Sequence, residues 1–201
     1  SICGGGASCC VYADGKLVPA PPGYATDTVI VGFTLCHGSA YSGGGMHGGQ
    51  AENCIVVSNS ATDGGGLHYV QVRQSKVMFN TAKDGSAISG GSAFNTLIAH
   101  NEASERGTLY GVNGSSFVNC TVVGNRAKNY SGCYGYWSGR PAITNCIFAA
   151  NTTSSGADFY NAELVRCCVD GGITGTSLML TDNLVNSSPG FRDVSTGDYR
   201  L

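Results

Sequence analysis

The chain is 201 residues long, with 31 glycines, 12% charged residues and a formal net charge of −2. Its 11 lysines and arginines are scattered singly, so no basic stripe exists for a nucleic-acid backbone, and no apolar run reaches the roughly 20 residues of a membrane span. Ten cysteines in a small glycine-rich chain, with no C-x-x-C pair to suggest a zinc ribbon, point to an exported protein, extracellular or at a cell surface.

In chain order, residues 1–27 read as an N-terminal partial rung or capping segment, because Ile2-Cys3-Gly4-Gly5-Gly6-Ala7 has the composition of a glycine corner. Ser1 is not preceded by a methionine, so a mature or excised product is expected. From 28 to 201 one pattern repeats: an apolar residue, two variable residues, an asparagine, then a glycine-rich turn. The anchors are Asn59, Asn80, Asn101, Asn125 and Asn151, with Gly38 and Gly172 in the same place, at spacings of 21, 21, 21, 24, 26 and 21 residues. A period between about 20 and 50 residues marks a stacked solenoid.

Apolar residues recur three before the anchor (Val56, Val77, Ile98, Val122), eight before it (Ala51, Val72, Ala93, Phe117) and eight after it (Leu67, Ile88, Leu109, Cys133, Phe159, Leu180). Three inward columns per period and no helical period predict an all-β fold. The expected architecture is a right-handed parallel β-helix with three short strands in each rung of about 21 residues. The asparagines then form a hydrogen-bonded ladder at a bend, and Gly43 to Gly45, Gly64 to Gly66, Gly85, Gly107 and Gly156 supply positive φ for the next corner. Carried forward, the count puts Asp193 at the eighth anchor position and Leu201 in the interior column.

Val56-Val57-Ser58-Asn59 with Gly64-Gly65-Gly66-Leu67, and Phe148-Ala149-Ala150-Asn151 with Gly156-Ala157, resemble the FxxN and GGA(I/L/V) repeats of chlamydial polymorphic membrane proteins and related bacterial β-helix proteins. Val31-Gly32-Phe33-Thr34 leading to Gly43-Gly44-Gly45-Met46 is similar to rungs of the pectate-lyase-like superfamily. Gly190-Phe191-Arg192-Asp193 through Gly197-Asp198-Tyr199-Arg200-Leu201 resembles the close of many secreted bacterial β-helices. The resemblance implies the fold over residues 28–201 and a group that holds adhesins, passenger domains, lyases and hydrolases alike.

Four constellations carry candidate chemistry. Asp63, Asp84 and Glu105 each lie four past the anchor, a carboxylate row that would hold calcium or serve as an acid/base set on polysaccharide; otherwise no cofactor is expected. His47, His68, Tyr110, Tyr134 and Tyr160 share an outward column interrupted by Ser89. With Tyr136 and Trp137 of the insertion Asn129–Arg140, the tyrosines form a candidate glycan-binding or partner surface. Cys54, Cys120, Cys146 and Cys167 share one interior column, in which Cys120 and Cys146 are candidates for a disulfide. Ile55, Val57, Met78, Leu97, Val123 and Ile147 make an apolar outer stripe, to be covered by residues 1–27 or, together with an open end at Leu201, by a second copy.

The expected function is a non-catalytic extracellular structural or adhesive solenoid that self-assembles head to tail into a filament or surface fibre, with glycans or cell-surface ligands as further partners. A polysaccharide lyase or hydrolase, and a passive stalk of a larger surface protein, are the alternatives.

Overall fold

A computed structural model describes residues 1–3, 10–12, 28–112, 114–136, 139–154, 157–170, 173–193, 196, 198 and 199. Gly156, Trp137, Gly172 and Leu201 lie outside these residues, as does most of 1–27.

The chain is a parallel β-helix, as the period requires, and the described residues contain no helical element. Each regular rung visits four sheets. Taking the rung around Asn59, the strands are Gln50–Glu52 in sheet C, Ile55–Val57 in sheet A, Ser60–Asp63 in sheet D and Leu67–His68 in sheet B. Sheet A stacks nine strands, B and C eight each, and D six. Register follows the anchor spacing: Val56 pairs with Val77 and Val77 with Ile98, all parallel. Ile2–Cys3 joins sheet A beside Thr34–Cys36, and Val11–Tyr12 joins sheet B beside Met46–His47.

Four strands per rung replace the three expected. The additional strand lies immediately after the asparagine, and its inward column is Ala40, Ala61, Ala82, Ala103 and Ala127, of which the last three are buried. Alanine fills the narrow space behind a bend, so the column lacks the large apolar side chains that advertise the other three. Those three form one continuous core from Leu35 to Val169.

The asparagine ladder is the axis of this stack. Asn80 Oδ1 accepts both the backbone N–H and the side-chain Nδ2–H of Asn59 at 3.0 Å, while Asn80 Nδ2 donates to the Val56 carbonyl and to Asn101 Oδ1, also at 3.0 Å. The same bonds repeat through Asn101, Asn125 and Asn151. Asn59, Asn80, Asn101 and Asn125 are at most 1% exposed, so each amide is buried and its hydrogen bonds are met inside the fold. Of the glycines in the following turn, Gly64 has positive φ (66°), whereas Gly65 does not and is excluded from carrying a side chain by the carbonyls of Thr81 and Ser86.

The cysteine column is hydrogen-bonded as well as buried. Cys54, Cys120 and Cys146 donate their thiols to the carbonyl two residues earlier at 3.2–3.3 Å, as the Ser75 and Thr96 hydroxyls do in the same column. Cys120 and Cys146 are free thiols, linked by a Cys120 N–H to Cys146 Sγ contact of 3.4 Å. Among the described residues the disulfide joins Cys3 to Cys36 instead, cross-strand partners in sheet A.

The closing rung departs from the count. Phe159 pairs with Gly175 and Val169 with Val185, a step of 16 residues, and among the described residues no sheet D strand lies between Cys168–Val169 and Gly175–Thr176. Leu180 therefore pairs with Leu164 in sheet C, not with the column of Leu67, and Asp193 forms an antiparallel bridge with Asp198 instead of anchoring a rung.

Candidate functional site

Rung insertions concentrate at one corner. Relative to the 21-residue rungs, the extra residues fall between Leu109–Gly111 and Ser116–Val118, and again between Cys133–Gly135 and Ala142–Thr144, both on the passage from sheet B to sheet C. Period lengths of 24 and 26 thus come from loops stacked on each other. The second loop is tied back by Tyr136 N–H to the Gly111 carbonyl at 2.8 Å and by Asn161 Nδ2 to the Gly139 carbonyl at 3.2 Å.

Beside that corner, the outward column of sheet B carries the expected aromatic ladder. Tyr110 and Tyr134 stack with centroids 5.3 Å apart, and Tyr134 and Tyr160 at 4.9 Å with planes 13° apart. Tyr136 joins Tyr110 at 5.6 Å. Tyr130, which the column count did not single out, lies 5.4 Å from both Tyr134 and Tyr160. Its φ is 60°, at the corner position where Gly43, Gly64, Gly85 and Gly107 have the same sign. A tyrosine in the left-handed region costs about 1–2 kcal/mol relative to ordinary backbone, and the aligned columns hold the signal, a bulky residue where the other rungs have glycine. Trp137 lies outside the described residues.

The carboxylate row is not a row. Asp63 and Asp84 are in register, but a bulge in Glu102–Arg106 brings Arg106, not Glu105, opposite Asp84. Arg106 donates Nε to Asp84 Oδ1 at 2.8 Å and Nη2 to Oδ2 at 3.0 Å, a bidentate pair with the carboxylate buried. Glu105 is displaced and meets Lys128 Nζ at 3.3 Å on the surface. One inserted residue thus puts a cation where the third anion was expected, removing the repulsion on which a calcium site there depended. The Asp63 carboxyl remains raised, by burial first and by the Asp84 charge second.

That cation also reaches the tyrosines. The guanidinium carbon of Arg106 lies 5.6 Å from the Tyr110 ring centre and 5.3 Å from that of Tyr134. Its hydrogen bonds to Asp84 hold its pKa above the ordinary arginine value. Burial pushes the Tyr110 phenol well up, against the pull of the Arg106 charge. The assembly is an aromatic surface of half-buried Tyr110, Tyr130, Tyr134 and Tyr160 with exposed Tyr136, and the Arg106 guanidinium against it is already paired with Asp84. Nearer the N-terminal end of the same column, His47 and His68 face each other, and burial holds His68 down to about 4, with the His47 charge adding to it.

The outer stripe of sheet A is covered within the chain over part of its length. Val123, Ala99 and Ala149 are buried, with Met78, Leu97, Phe191 and Tyr199 packed against them, and His100 Nε2 meets the Tyr199 hydroxyl at 2.6 Å. The cover observed is therefore C-terminal, while residues 4–9 and 13–27 of the expected cover lie outside the described ones. Val57 and Ile147 are half-buried and Ile55 is exposed.

In comparison with known proteins, no protein-family model matches the chain and no curated protein matches it.

Proposed function

We propose that this chain is a non-catalytic structural or adhesive β-solenoid, extracellular or at a cell surface, that binds glycans on the tyrosine cluster of sheet B. The observation that carries the reading is the gathering of Tyr110, Tyr130, Tyr134, Tyr136 and Tyr160 beside the only corner at which the described rungs are lengthened, one of them held in backbone normally left to glycine. Insertions in a repeat stack map to loops on one face, which is often the binding face. The pairing of Asp84 with Arg106 and of Glu105 with Lys128 further favours binding over an acid/base set on the former row. Calorimetry against neutral and acidic oligosaccharides tests this. Binding that is weakened at least tenfold in Tyr134→Ala and Tyr160→Ala, with no product formed, is expected. Turnover abolished by Asp84→Asn would replace it with the enzyme reading.

Head-to-tail self-association belongs to the same proposal. It is supported by Met179, Leu180, Leu184 and Val185, exposed apolar side chains on Met179–Thr181 and Leu184–Val185, the last strands of sheets C and A. Sedimentation over a wide concentration range tests it, and a sharp monomer throughout would end it.

A further inference from the structure

The outward column of sheet B holds a second matched pair, apart from the tyrosines. His47 and His68 are in-register partners on adjacent parallel strands, Met46–His47 and Leu67–His68. Their Nδ1 atoms are 3.1 Å apart, with ring centroids at 4.8 Å and planes tilted by 34°. Tyr69, itself at φ 54°, packs edge-on against His68 at 4.3 Å and limits how that ring turns. The carbonyl of Ser42 accepts a hydrogen bond from the His47 ring.

We propose that His47 and His68 form a binding site for a divalent transition metal of the zinc, nickel or copper type. Two nitrogens bound to one such ion at about 2.0–2.1 Å stand about 2.9–3.4 Å apart between the square and tetrahedral angles, and the observed separation lies within that interval. Imidazole nitrogen selects these ions, whereas calcium and magnesium require oxygen donors. Metal-bound imidazoles ordinarily donate a ring N–H to a carbonyl or carboxylate, a role the Ser42 carbonyl fills for His47. The hydrogen shared between the two Nδ1 atoms moves to Nε2 of the ring that carries it, so the ion enters without net proton loss from the protein. Both ligands sit on paired strands and need little rearrangement. Two protein ligands leave the remaining coordination positions to water or to donors from outside. The bound ion joins two rungs and presents a positive charge on the same face as the tyrosines.

The test is titration of the full chain with Zn2+, and with Co2+ as a spectroscopic probe. His47→Gln and His68→Gln are compared with His37→Gln as the control, because Cys3, Cys36 and His37 are the one group of three potential donors among the described residues. One equivalent of Zn2+ should bind to the wild-type chain, its affinity falling at least tenfold in His47→Gln and in His68→Gln and holding in His37→Gln. The Co2+ complex should lack the near-ultraviolet thiolate charge-transfer band that cysteine ligation gives. In the unmodified chain, Zn2+ should shift the ring-nitrogen resonances of His47 and His68, a readout that does not depend on either variant folding. Absence of Zn2+ binding, wild-type affinity retained in either variant, or unmoved His47 and His68 resonances would overturn the site.

Discussion

Two ladders run along this molecule, and they differ in what their stacking does. In the asparagine ladder the amides of Asn59, Asn80, Asn101 and Asn125 are buried and bonded to the rungs on either side, and none of these asparagines has positive φ. In the tyrosine ladder the rings are half-buried, the contacts are ring against ring, and Tyr130 sits in left-handed backbone. Both repeat one residue type at the rung spacing. One satisfies polar groups that the fold has already removed from water, while the other places apolar rings where water still reaches them. A repeat in sequence therefore identifies a stack without saying whether the stack supports the fold or serves a surface.

The largest effect that would sharpen this contrast is expected in the asparagine ladder. Replacing Asn80 by Leu removes the acceptor of the Asn59 N–H and of one of the two Nδ2–H bonds of Asn59, together with the donor to the Val56 carbonyl, and should cost about 3 kcal/mol. Urea denaturation reads this directly; a variant as stable as the parent would mean that water replaces the ladder at no cost. Next in size is the pair between the ladders. Arg106→Ala strands the buried Asp84 carboxylate, and with the arginine partly exposed the loss should be about 2 kcal/mol. Restoring stability by the added change Asp84→Asn would identify the unpaired charge as the cause.

A smaller effect is expected on the tyrosine side. Tyr130→Gly relieves about 1 kcal/mol of backbone strain while losing ring contacts, so stability should stay within about 1 kcal/mol of the parent while any glycan affinity falls. If this change destabilised the fold as much as Asn80→Leu, the two ladders would be alike in purpose and the contrast would collapse. The smallest effect is alkaline. The Tyr110 phenol is raised in the folded state by burial, so the folded chain keeps a proton that the unfolded chain releases at about pH 10, the ordinary tyrosine value. Stability should therefore be whole below about pH 10 and decline as pH rises beyond it. Tyr110→Phe should flatten that decline in thermal melts, and an unchanged slope would show that Tyr110 titrates as an ordinary phenol.

Much of the architecture is legible in the chain alone. The anchor spacing sets the register, since a parallel stack repeats its neighbours at the length of one rung, and the pairing of Val77 with Val56 and with Ile98 follows from it. Large apolar side chains mark three sheets because each must fill a wide interior. The ladder positions of Tyr110, Tyr134 and Tyr160 follow from the same count.

Only the tertiary structure decided the rest, for reasons of local geometry. Sheet D is hidden because its inward residue is alanine, which carries almost no hydrophobic signal yet is sufficient behind a tight bend. One bulged residue in Glu102–Arg106 exchanges an anion for a cation opposite Asp84, a change that counting along the chain could not detect because the next turn is correspondingly shorter before Leu109. The 16-residue step of the closing rung moves Leu180 to sheet C, and the packing of Phe191 and Tyr199 against the cluster of Ala99, Val123 and Ala149 joins residues far apart in the chain. Periodicity reports contacts between neighbouring rungs, which recur at fixed spacing. Bulges, shortened rungs and segments that fold back across the stack have no period, and their positions are settled by which side chains fit together in space.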